Sequence, residues 1–135
     1  MYSRNGALAY AKVGVETGVM SASPHQLIVM LFDGAHVALH KAKWAIEQGD
    51  IPAKGQAISR AIDIIEQGLR AGLDLQRGGE IAQQLNSLYE YMVRTLLQAN
   101  MRSDASLIAQ VEALLGDISS AWKEIGPAAN AQQQG

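Results

Sequence analysis

Four stretches of this chain carry apolar residues spaced alternately four and three apart, and turn-forming glycine, proline or aspartate residues separate them. Ile28, Phe32, Ala35, Leu39, Ala42 and Ile46 form the first row, and Ile58, Ile62, Ile65, Leu69 and Gly72 the second. Ile81, Leu85, Leu88, Met92, Thr95 and Ala99 form the third, and Leu107, Val111, Leu114, Ile118, Ala121 and Ile125 the fourth. Such spacing returns to one side of an α-helix at every turn, so each stretch predicts a helix with one seam to bury. A helix of this kind owes most of its stability to packing against others.

The breaks between rows set the boundaries. In Ser23-Pro24-His25-Gln26, Ser23 suits the N-cap, Pro24 the first turn, and Gln26 completes a capping box. Gly49-Asp50 supplies a stop followed by a new cap, Gly78-Gly79 breaks the chain again, and Ser103 or Asp104 caps the last helix before Gly126-Pro127 ends it. The helices are expected over 24–48, 51–75, 79–100 and 104–125. Connections this short make each helix fold back on its predecessor, which predicts an all-α, antiparallel up-down-up-down four-helix bundle. One domain over residues 1–126 is expected, with 1–22 as a short N-terminal cap segment and 127–135, poor in apolar anchors, as a disordered tail. Gly68 and Gly72, four apart in the second helix, predict a close helix contact.

Composition narrows the function. With 48% hydrophobic residues in a chain of 135, there is enough apolar surface for one core. The net charge is −2, from 11 basic and 13 acidic residues with no basic cluster, so no nucleic-acid partner is expected. The chain has no cysteine, which removes disulfides and thiolate chemistry. No run of about 18 apolar residues occurs, so no membrane insertion is expected and the predicted location is cytoplasmic.

Catalytic constellations are hard to find. Asp33, His36 and His40 share one side of the first helix and are the nearest thing to a metal site. Lys43 and Glu47 lie on the same face, however, and the Glu-x-x-His pattern of metal-binding bundles is missing, so a solvated face is the reading and no metal or cofactor is expected. Gly78-Gly79-Glu80 lacks the lysine and serine or threonine of a phosphate loop. No nucleophile motif occurs, and the chain is not expected to be an enzyme.

Apolar residues left over from the seams are more informative. Tyr89, Val93 and Leu97 on the third helix, and Ile108, Leu115 and Trp122 on the fourth, form second rows one position away from the predicted core. They could widen the core, leave a groove for a partner helix, or form a homodimer interface. The segment before Ser23 is also apolar, with Leu8, Tyr10 and Val13 among its residues. It is expected to strap or cap the bundle. These nine residues are the candidate partner-binding set.

Four blocks of sequence carry a resemblance. AYAKVGVETGVMSASPHQLIVMLFDGA (9–35), EQGDIPAKG (47–55), GLDLQRGGEIAQQLNSLYEYMVRTLLQAN (72–100) and LLGDISSAWKEI (114–125) resemble, in order, the FliS family of flagellar secretion chaperones, especially its enterobacterial branch. The resemblance implies a chaperone that binds the C-terminal segment of flagellin, prevents its premature polymerisation, and helps deliver it to the export gate of the flagellar type III apparatus. It also implies that the segment around Ala9-Tyr10 covers the cargo site. The alternative is a self-associating structural bundle without dedicated cargo.

Overall fold

A computed structural model describes residues 22–134. Helix α1 spans Pro24–Gln48, and its first turn is built as the capping pattern requires: the Ser23 hydroxyl accepts the Gln26 backbone N–H at 3.1 Å. Gly49 closes it in the left-handed conformation at φ 71°, which costs glycine little because it has no Cβ. Asp50 then caps α2 (Ile51–Asp63) by accepting the Ala53 N–H at 3.1 Å. Helix α3 spans Gly79–Arg102 and α4 spans Ala105–Gln134. Asp104 caps α4 through the backbone N–H of Ser106. The Ser106 hydroxyl, above all, holds the Asp104 carboxyl below its ordinary pKa.

Two departures from the predicted boundaries have local causes. The second helix does not stay α-helical to residue 75. Over Ile64–Arg70 it widens into a π segment, in which the Ala71 N–H reaches back five residues to the Glu66 carbonyl, and it then turns out of the helix. The stop read at Gly126-Pro127 is a kink: Gly126 sits at φ 40°, ψ −124°, and helical backbone resumes beyond it to Gln134. Of the predicted cap, only Ala22 lies within the described residues.

Antiparallel order shows in side chains that pair opposite helix ends. His25 at the start of α1 meets Trp122 late in α4, while Lys43 near the end of α1 binds Glu112 early in α4 at 2.6 Å. Lys54 at the start of α2 reaches Asn100 and Ser103 at the end of α3. Arg70, closing the π segment, bonds Asn86 and Glu90 in the first half of α3. The main helix contacts run α1–α2, α2–α3, α3–α4 and α4–α1, a closed ring around one core.

Inside that ring lie Ile28, Leu31, Phe32 and Leu39 of α1, Ile58 of α2, Ile64, Ile65 and Leu69 of the π segment, and Leu85, Tyr89, Met92 and Leu96 of α3. Thr95 is tolerated there because its hydroxyl donates to the Tyr91 carbonyl at 2.8 Å, satisfying the one polar group it buries. Gly68 brings the π segment against α1: a Cβ there would stand 2.8 Å from Leu31 Cδ2. The close contact expected of the glycine pair is therefore made at Gly68.

Helix α4 presents a different seam from the expected one. Among the described residues of α4, Ile108, Val111, Leu115, Ser119 and Trp122 are buried, whereas Leu107, Leu114 and Ile118 are only partly covered and Ala121 and Ile125 are exposed. The pairs Leu107-Ile108 and Leu114-Leu115 give two rows about 100° apart, and apolar spacing alone does not choose between them. Ile81, placed in the α3 seam by its spacing, is likewise on the surface.

Candidate functional site

With α4 seated on that seam, a cleft lies between it and α3. The first turns of α3 and the last regular turns of α4 stand apart, and the gap of about 390 Å³ is walled by Ile81, Leu85 and Tyr89 on one side and Ile118, Ala121, Trp122 and Ile125 on the other. Phe32 of α1 is also part of its lining, and Asp117 is the one charged lining residue among the described residues. At the rim, Ile81 is 59% and Ile125 42% exposed, so large aliphatic side chains meet water on both lips. An apolar gap between two helices is the form that receives the apolar side of a third.

Of the nine predicted binding residues, two line this cleft. Tyr89 is fully buried and Trp122 is 5% exposed, each contributing one surface to the cleft and the rest to the core. Val93 is partly covered against the core, and Leu97, 53% exposed, projects from α3 outside the cleft lining. Ile108 and Leu115 are fully buried seam residues of α4. Leu8, Tyr10 and Val13 lie outside the described residues.

Spacing had placed Ile81, Ile118, Ala121 and Ile125 in the core, and the structure places them in the cleft instead. The signal that could have found them is polar: seating Ile118 and Ala121 outward turns Ser119 inward, where its hydroxyl is satisfied by the Gly116 carbonyl at 3.1 Å. A serine that bonds its own helix backbone is no obstacle to a buried seam.

The histidine face of α1 is engaged with α4. Asp33 pairs with Lys123 at 3.5 Å, His40 is exposed, and half-buried His36 faces Gly116, whose added Cβ would stand 3.9 Å from its Cε1. Burial is the main influence on His36 and lowers its pKa; Glu112 and Asp33 oppose it and Lys123 reinforces it. Among the described residues no group of three or more His, Cys, Asp or Glu is placed to hold a metal ion, and no helix is long and apolar enough to cross a membrane.

A ring of four antiparallel helices with an apolar cleft between two of them defines a helical-bundle protein. Residues 6–129 match the family model of the flagellar protein FliS. The chain is 59% identical to the flagellar secretion chaperone FliS of Salmonella typhimurium, covering 98% of both chains, and 51% identical to that of Escherichia coli, covering 92% of this chain and 91% of the other. Against the Bacillus subtilis chaperone, identity is 32% with 92% of this chain and 88% of that one covered. The chain belongs to the FliS family, a family of flagellar secretion chaperones and not of enzymes.

Proposed function

We propose that this protein is a cytoplasmic export chaperone that binds the C-terminal segment of flagellin, keeps it from polymerising before export, and assists its delivery to the flagellar type III export apparatus. The observation that carries the reading is the cleft between α3 and α4, apolar along both walls and open at its lips. A terminal segment that is disordered as a monomer and helical in a filament has an amphipathic face to cover, and such a cleft receives that face. Binding coupled to folding of a segment buries on the order of 1,000–3,000 Å², more than the cleft alone supplies, so the cargo extends beyond the cleft. Leu8, Tyr10 and Val13 are assigned to a segment that covers the site, on the resemblance of Ala9-Tyr10 to the family pattern.

Full-length flagellin and flagellin lacking its C-terminal segment, titrated separately into the protein, test this. Tight binding of the first and loss of binding by the second is expected. Equal binding of both defeats the proposal, and a stable homodimer indifferent to either favours the self-associating alternative.

A further inference from the structure

At one pole of the bundle, α1 and α4 hold each other by a reciprocal clasp. His25, the second residue of α1, donates from Nε2 to the backbone carbonyl of Trp122 at 2.8 Å. In return, Trp122 donates from Nε1 to the backbone carbonyl of His25 at 3.1 Å. The two rings lie stacked, with centroids 5.1 Å apart and planes within 13° of parallel. Each side chain therefore grips the other's main chain, and the flat faces of the rings meet.

Trp122 belongs at once to this clasp and to the wall of the cleft. An indole turns about two side-chain torsions, and a turn about either would swing a large flat surface into or out of the gap. The stack and the two hydrogen bonds, together with the packing of the ring in the core, hold it in one orientation. We propose that His25 is a positioning residue for cargo binding: it holds Trp122 as a fixed wall, so that the cleft stands preformed for an incoming apolar segment. Preformed walls raise affinity because side chains already ordered need not be ordered on association. The proposal rests on the reading of the cleft as the cargo site. It adds that a residue outside the cleft lining governs how well that site binds.

Fluorescence of Trp122 tests it. The only other tryptophan, Trp44, is 62% exposed and outside the cleft lining, so Trp44→Phe leaves Trp122 as the sole indole reporter. In that background, His25→Ala is expected to keep the helical circular dichroism, to make Trp122 more quenchable by acrylamide, and to weaken a peptide of the flagellin C-terminal segment about tenfold, the scale of one lost stack or hydrogen bond. His25→Phe, which keeps an aromatic ring over the indole but not the Nε2 donor, is expected to give smaller changes in both. A histidine that merely stabilises the fold would lower the melting temperature yet leave quenching and low-temperature affinity unaltered, and that result overturns the proposal. Should the alanine variant not fold, the phenylalanine variant is read in its place by the same criterion. Failure of the Trp44→Phe protein itself to bind the peptide sinks the cargo reading and this proposal together; binding with unchanged quenching and affinity in the His25 variants sinks this proposal alone.

Discussion

Gly55 and Gly68 lie in one continuous helical stretch, yet the structure assigns them opposite sensitivities. Nothing stands within 4 Å of a Cβ added at Gly55, so Gly55→Ala gains helix propensity without a clash and is expected to stabilise the bundle by about 0.5–1 kcal/mol. At Gly68 the same change drives a methyl to 2.8 Å from Leu31 Cδ2, and Leu31 is itself buried among core side chains with little room to yield. Overpacking of this kind costs about 1–3 kcal/mol, which outweighs the propensity gain, so Gly68→Ala is expected to be net destabilising. Urea unfolding of the two variants checks the opposite signs. Tyr89, fully buried, serves the core as well as the cleft, and Tyr89→Ala is expected to cost about 3–5 kcal/mol in the same assay. A loss of cargo binding in that variant would therefore not isolate a contact.

Between elements, Lys54 makes an enclosed polar tie: it is buried, and its ammonium donates to the Asn100 carbonyl and the Ser103 hydroxyl, each at 2.8 Å. It joins the start of α2 to the end of α3, where Ser103 holds the left-handed conformation at φ 51° that usually falls to glycine. Lys54→Met keeps the aliphatic stem but leaves both acceptors without this donor, so it is expected to destabilise by about 1–3 kcal/mol in thermal or urea unfolding. The α1–α4 seam is expected to carry a pH dependence through His36, which Asp33 faces from its own helix and Glu112 and Lys123 face from α4. Burial lowers the His36 pKa below its ordinary value of about 6.5, so the fold favours the neutral ring. Its contribution is complete above the unfolded value and is lost as pH falls through the folded one, because the unfolded chain binds the proton more readily. Between about pH 7.5 and about pH 5.5 the melting temperature of the protein is expected to drop more than that of His36→Gln; parallel curves would show His36 to be uninvolved.

At the scale of the molecule, the bundle was legible in the chain because seams, caps and stops agreed: Ser23, Gly49 and Asp50 do in three dimensions what their residue types predict. The phase of α4 was not legible, since adjacent apolar pairs at 107–108 and 114–115 support two seams, and only the packing across the bundle shows that Ile108, Val111, Leu115 and Trp122 face the core. That one ambiguity exchanged core for surface along α4. Ile108 and Leu115 went inward, while Ile118, Ala121 and Ile125 came to line the cleft. Trp122 and Tyr89 were found on either reading because large aromatic rings reach both core and cleft. The central claim, that this cleft receives flagellin, is tested most directly on its lips, where Ile81 and Ile125 are exposed enough to change without disturbing the core. Calorimetric titration of flagellin into the Ile81→Asp/Ile125→Asp protein is expected to show affinity reduced by about tenfold or more with an almost unchanged melting temperature, since each aspartate would have to be desolvated against an apolar segment. Affinity equal to that of the unaltered protein would contradict the assignment.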